Sequence, residues 1–254
     1  SRWCRRRTEE ARKLSKLNRL FRNHKFSHKD SIIVATHPES VYAESFRKIP
    51  INIKYSRVDD EPRVIQITSS LSGEHKSTSA ANIAAVYREL GHKVILVDCD
   101  LRKPSIHRIT GLVNTDGLTD YLVGNTDYVN LIKQTRFEID VINAGNPVPF
   151  PHVALRSEKF KNLIAKLRES YEYVIVDSPP LLLVTDSLII GEICDTAVFV
   201  INQRTTKKNA AKEAIRLLRE SNIPIAGIVL SNTAKRIRRG SKYYSYKYKY
   251  TPKK

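Results

Sequence analysis

From Val64 onward, short apolar runs rich in β-branched residues alternate with longer stretches whose apolar positions recur at helical spacing. The runs at 64–68 (VIQIT), 93–98 (KVILVD), 138–143 (EIDVIN), 173–177 (YVIVD), 196–201 (TAVFVI) and 225–230 (IAGIVL) predict buried strands of a parallel sheet. Helices are predicted between them, over 79–90, 153–170, 186–193 and 207–220. Strand and helix in this alternation predict an α/β fold, a doubly wound, mainly parallel sheet with helices on both faces and right-handed crossovers. Residues 8–23 place Leu14, Leu17, Leu20 and Phe21 on one helical face and bases on the rest. That pattern suits an amphipathic helix at a membrane surface and suits a solvated linker helix equally well. After Ala234 no apolar period remains, and a mobile tail is expected.

Length and charge refine this picture. A chain of 254 residues is one large α/β domain with extensions or two small domains. Hydrophobic residues at 41% and charged residues at 28% exclude a disordered, collagen-like or disulfide-framework chain. No run approaches 18 apolar residues, so neither a membrane span nor a signal peptide is expected within this segment. A first residue of Ser and the lack of any Met suggest a piece of a longer chain. Cys4, Cys99 and Cys194 are widely spaced, which points to a reducing compartment and away from a zinc site. The net charge of +18 is uneven: residues 1–30 carry +8, residues 235–254 carry +9, and the body between is nearly neutral. Basic tails admit a membrane-proximal segment, an acidic partner or an RNA-binding arm.

The chemistry gathers at predicted strand ends. VIQITSSLSGEHKSTSAAN runs strand, loop, helix, the context in which backbone N–H groups and a helix N-terminus face an anion. Lys76 would reach the outer phosphates and Ser77 would offer a hydroxyl to magnesium. Against G-x-x-x-x-G-K-[ST], Ser70 and His75 replace both glycines and Gly73 alone remains, so an ordinary strand-to-helix turn is the competing reading. Asp98, Asp100 and Asp177 follow the apolar runs at the edge where α/β folds bind ligands. Asp98 and Asp100, two residues apart, are expected on one side of an extended chain. Each Asp alone could cap a helix or meet solvent; three together with Lys76 and Ser77 fit magnesium on nucleotide phosphates.

SSLSGEHKSTSAANIAAV, ILVDCDLRKPSIH and YVIVDSPPLLLVTDS together resemble the Walker A, A′ and B motifs of the bacterial protein-tyrosine kinases of capsule and exopolysaccharide production. NTDGLTDYLVGNTD, NAGNPVP, NIPIAGIVLSN and the C-terminal tyrosine cluster extend the resemblance over about Glu39 to Tyr250. It implies a P-loop NTPase fold using ATP and Mg2+, with Ser72, Gly73, Glu74, His75, Lys76, Ser77 and Thr78 binding the nucleotide. It further implies Lys76 as a catalytic cation, Asp98 as catalytic base, and Ser77, Asp100 and Asp177 at the metal. Tyr243, Tyr244, Tyr246, Tyr248 and Tyr250 would be phosphoacceptors, presented between subunits of a homo-oligomeric ring joined through the helix at 40–50 with Glu44 and Arg47. The remaining implied partners are a membrane-spanning co-polymerase portion and a cognate tyrosine phosphatase, with no specific nucleic acid. The implied location is the cytoplasmic face of the bacterial inner membrane. The implied division is a basic linker over 1–38, a kinase domain over 39–233 and a tyrosine-rich tail over 234–254.

The chain departs from the family at functional places. His75 stands where the family has glycine, Pro50 replaces the last arginine of the ring helix and should break it near Ile49, and VPFPHVAL lacks the family's Asn and Glu. A nucleotide-weakened scaffold of the same fold is therefore the second expectation. The third is a nucleic-acid- or membrane-binding P-loop ATPase, whose signature lysine is missing among Ser70, Leu71 and Ser72.

Overall fold

The computed structural model describes residues 31–57, 60–124 and 126–233; the helix expected over 8–23 and the tail from 234 lie outside the described residues. Seven strands form one sheet in the order β3-β4-β2-β5-β1-β6-β7. Their spans are β1 Val64–Ser69, β2 Val94–Asp98, β3 Lys133–Gln134, β4 Asp140–Ile142, β5 Tyr173–Asp177, β6 Thr196–Asn202 and β7 Ile225–Ser231. All pairs are parallel except β3 with β4. The central strands β1, β2 and β5 are buried along their whole length, as continuous apolar runs between two helical layers require.

One helical layer is double. Helix α4, Lys76–Glu89, lies on β1, β2 and β5, and its outer side is covered by α1 Ile33–Thr36, α2 Val41–Arg47 and α3 Ile49–Lys54. Contact on both sides explains its run of small residues, Ala80, Ala81, Ala84 and Ala85, all buried with Ile83 and Val86. The next helices are α5 Ile106–Thr110 and α6 Leu118–Val123. Helices α7 Pro151–Arg156, α8 Glu158–Ser170, α9 Asp186–Gly191 and α10 Lys208–Glu220 complete the set. α8 and α9 pack against the opposite side of the sheet, in a second apolar cluster with Val64, Ile95, Val97, Val174 and Val176.

Four sequence expectations change. The helix expected over 153–170 is two helices, because Ser157 is extended and its hydroxyl accepts from Phe160 N to cap α8. The strand expected to be buried at 225–230 is the sheet edge, with Ile228 and Leu230 half exposed. The antiparallel β3 was not anticipated; two residues give no readable period. The packed body also starts before the expected boundary at 38, since Ile32 and Val34 are buried. Asn82, fully buried in α4, holds that segment: its Oδ1 accepts from Val34 N at 3.1 Å and its Nδ2 donates to Ser31 O at 2.8 Å. Pro50 behaves as expected, separating α2 from α3 at Lys48 and occupying the first turn of α3, where a missing N–H costs nothing.

Replacing Asn82 by Ala strands a buried N–H and a carbonyl, so stability should fall by about 2 kcal/mol in urea unfolding. Amide exchange should accelerate over 31–36 well before it does in β1 or β5.

Candidate active site

Strand register brings the predicted residues together. Asp177 ends β5 and pairs with Asp98, the last residue of β2, on one side, and with Ile67 of β1 on the other. Beyond β1 the loop 70–75 turns into α4, so Lys76 enters beside the two carboxyl ends. Because β1 leads through α4 to β2 on one side while β5 leads to β6 on the other, this is the crevice where α/β sheets bind ligands.

Lys76 is buried, 8% exposed, and its Nζ lies 2.8 Å from Asp100 Oδ2, 3.3 Å from Asp177 Oδ1 and 3.2 Å from Ser77 Oγ. Burial alone would lower its pKa; Asp177, Asp100 and Asp98 outweigh that and raise it, so the ammonium stays charged. Asp177 is fully buried, and desolvation raises its pKa against the opposing pull of Lys76 and the Ser77 hydroxyl. One cation among three carboxylates leaves a formal charge of −2.

Asp98 sits differently from the expectation. β2 ends at this residue, so Asp98 and Asp100 are not alternate positions of one strand. Asp98 is fully buried; Oδ1 accepts from Asp100 N at 3.2 Å, and Oδ2 accepts from Ser105 N and Ile106 N, both at 3.1 Å. It thereby ties down the loop leading into α5. Desolvation and then Asp177 push its pKa up to about 7, against Lys76 and the Ile106 N–H.

The loop has the form of an anion cradle. Among the described residues, the N–H groups of Gly73, His75, Lys76 and Ser77 donate to no protein acceptor, and they open the N-terminal turn of a 14-residue helix. His75 takes the left-handed backbone, φ 68°, that the family's glycine supplies without strain, and its imidazole points into solvent. Histidine is among the residues that enter this region most readily, at a cost of about 1–2 kcal/mol. Ser72 and Gly73 are exposed and Thr78 is half buried. Glu74 does not face the cradle with its side chain; its carboxylate folds beneath the loop and accepts from Ser70 N and Leu71 N.

Other fixing residues escaped the sequence reading. Arg102 grips Asp186 with two bonds, 2.8 and 3.2 Å, joining the loop after β2 to the start of α9. Buried Gln66 donates to Ser178 Oγ and to both the carbonyl and hydroxyl of Ser187, holding the residue after Asp177 against β1. The polar Gln66 and Thr68 inside an apolar strand were the readable signal; their partners, more than 100 residues away, were not. Among the described residues no group of three or more His, Cys, Asp or Glu forms a metal cage. A hydroxyl and two carboxylates beside a phosphate cradle instead suit Mg2+, which keeps waters and takes substrate phosphates as ligands.

Of the ring-helix pair, Arg47 is engaged within the chain: Nε and Nη2 bind Glu89 at 2.9 and 2.8 Å, and Nη1 reaches Glu44 at 3.4 Å. Glu44 is mostly exposed. Tyr243, Tyr244, Tyr246, Tyr248 and Tyr250 lie outside the described residues. No helix among the described residues is long and apolar enough to cross a membrane.

Comparison with known proteins agrees with this architecture. A family model described as ParA, NUBPL iron-transfer P-loop NTPase, matches residues 61–246. Tyrosine-protein kinase YwqD of Bacillus subtilis is 35% identical over 217 residues, covering 85% of this chain and 91% of that protein. Tyrosine-protein kinase wzc of Salmonella typhi is 29% identical over 220 residues, which is 86% of this chain but 31% of that longer protein. The crystal structure of the chimerical protein CapA2B2 superposes with a TM-score of 0.76 at 36% identity, covering 79% of this chain and 89% of that one. The septum site-determining protein MinD of Pyrococcus horikoshii, solved with Mg-ADP, shares the fold at a TM-score of 0.57 and 24% identity, over 66% of this chain and 69% of that one. With kinases of this kind matching across the body that carries Lys76, Asp100 and Asp177, the chain belongs to the family of bacterial protein-tyrosine kinases built on the P-loop NTPase fold.

Proposed function

We propose that this chain is an ATP-dependent protein-tyrosine kinase whose acceptors are Tyr243, Tyr244, Tyr246, Tyr248 and Tyr250 of a neighbouring copy. The observation that carries this reading is Lys76 held between Asp100 and Asp177 behind a row of open N–H groups. The amides of 73–77 receive the phosphates, and Lys76 turns from the carboxylates to the transferring phosphoryl group, where it offsets developing charge. That movement leaves Asp100 and Asp177 buried without their cation, which is the chemical fit for a divalent ion. Ser77, Asp100 and Asp177 would hold Mg2+, which would supply neutralisation of the phosphate oxygens.

A tyrosine hydroxyl titrates near 10 and needs a base when it attacks. Asp98 is that base in this reading: it is the carboxylate that Lys76 does not touch, and its raised pKa suits proton transfer near neutrality. Each phosphate added to the tail would be met by Lys242, Lys247 and Lys249. The wider role follows the family: regulation of capsular or exopolysaccharide polymerisation and export at the cytoplasmic face of the inner membrane, beside a co-polymerase portion, with a phosphatase resetting the tail. Assembly between copies would use α2, where Val41 and Tyr42 are exposed beside Glu44.

The second reading, a nucleotide-weakened scaffold, draws on His75, whose Cβ stands in a glycine conformation next to the phosphate cradle.

Intact mass before and after incubation with Mg2+ and ATP separates the two. Phosphate should accumulate on the wild-type tail and not on Lys76→Met; no gain in mass and no ATP binding would favour the scaffold. His75→Gly should tighten ADP binding several-fold by calorimetry. Its melting temperature should barely move, because relief of left-handed strain offsets glycine's chain entropy, each about 1 kcal/mol. Asp98→Asn should keep ADP affinity within about threefold and lower the phosphorylation rate at least a hundredfold, the scale of a lost general base.

A further inference from the structure

Glu74 is 2% exposed, and no cation among the described residues pairs with it. Its carboxylate is satisfied by neutral donors alone. Oε2 accepts from Ser70 N at 2.8 Å and Leu71 N at 3.1 Å, and the Ser70 hydroxyl donates to both oxygens at 2.9 Å. Oε1 also accepts from the hydroxyl of Thr206. An uncompensated carboxylate beneath a polyphosphate cradle works against anion binding, so its presence calls for a structural return.

That return is visible in what its partners hold. Thr206 Oγ1 accepts from Asn202 N at 3.0 Å, closing the turn 202–206 that joins β6 to α10. Asn202 Nδ2 reaches back to Gly73 O at 3.5 Å, and the Ser231 hydroxyl at the end of β7 donates to Glu74 O at 3.0 Å. Gln203 N donates to Ser231 O at 3.1 Å. The phosphate loop, the turn after β6 and the last residues of β7 therefore form one hydrogen-bonded body, and Glu74 bonds to all three.

We propose that Glu74 is a positioning residue that presets the phosphate loop: it draws the Ser70 and Leu71 amides inward and, through Thr206, makes the turn 202–206 a brace for the loop. The consequence rests on the nucleotide-binding reading above. A loop already held in shape binds phosphates without paying to order itself, so loss of the brace weakens nucleotide binding and leaves the chemical step alone. The end of β7 shares the brace through Ser231.

The test uses the full chain with Thr206→Val, Thr206→Ser and Glu74→Gln. Amide exchange is read without nucleotide, and KM for ATP and kcat are read on a synthetic peptide of residues 241–250. Thr206→Val should speed exchange over both 70–75 and 202–206 and raise KM for ATP about tenfold with kcat within twofold, and Thr206→Ser should restore both. Glu74→Gln should speed exchange over 70–75 further and raise KM more. A lowered melting temperature with unchanged KM and unchanged exchange in the loop would reduce Glu74 to a packing role and overturn the proposal, as would a loss confined to kcat. If the wild type binds no nucleotide, the kinase reading fails on that result alone; linked exchange of 70–75 and 202–206 then still upholds the brace, and unlinked exchange rejects it.

Discussion

Lys76 lies among Asp98, Asp100 and Asp177 where little water reaches, and an unpaired charge in such a place costs several kcal/mol. The cluster is not neutral: the carboxylates outnumber the ammonium, and burial lifts the pKa of both Asp98 and Asp177. Filling the same volume with apolar side chains would cost no such desolvation. The arrangement makes sense as a site that is completed from outside, by a polyanion for the lysine and a cation for the carboxylates. Stability is held below its optimum in exchange for readiness to bind.

The rest of the fold supplies what so strained a cluster requires. Parallel pairing sets Asp98 and Asp177 side by side with no adjustable joint, since register on either strand would have to slip for them to separate. Helix α4, packed on both sides, gives Lys76 and Ser77 a rigid base. Side-chain ties act where loops replace strands: Arg102 with Asp186, Gln66 with Ser178 and Ser187, and the bonds of Asp98 to the loop before α5. The first two span elements distant in sequence and the third ties the loop to the strand it leaves, so the loops move with the sheet rather than independently of it.

Much of this could be read along the chain. Apolar runs of strand length marked all six principal strands as buried, which holds for every one but β7, and carboxylates ending two of them marked the ligand edge. What escaped has a common physical cause. Glu74, Thr206, Asn202, Arg102 and Asp186 act through side-chain bonds to residues that become neighbours only when the sheet closes. The burial of Ile32 and Val34 depends on Asn82, a polar residue within the small apolar run at the middle of α4. The break at Ser157 was hidden because apolar positions keep helical spacing across it, and β7 reads as buried because composition does not reveal which strand lies at an edge.

The strand order has a consequence for how the molecule comes into being on the ribosome. β1 is the first strand to emerge, yet its neighbours in the sheet are β5 and β6, and the Lys76–Asp177 contact closes a span of 101 residues. A growing chain exposes its phosphate loop long before any partner for the lysine has been translated. Vectorial folding cannot complete the site early, because contacts of such separation form late and all together. The Lys76–Asp177 contact therefore has to wait for β5, and β1 is flanked on both sides only once β6 has followed.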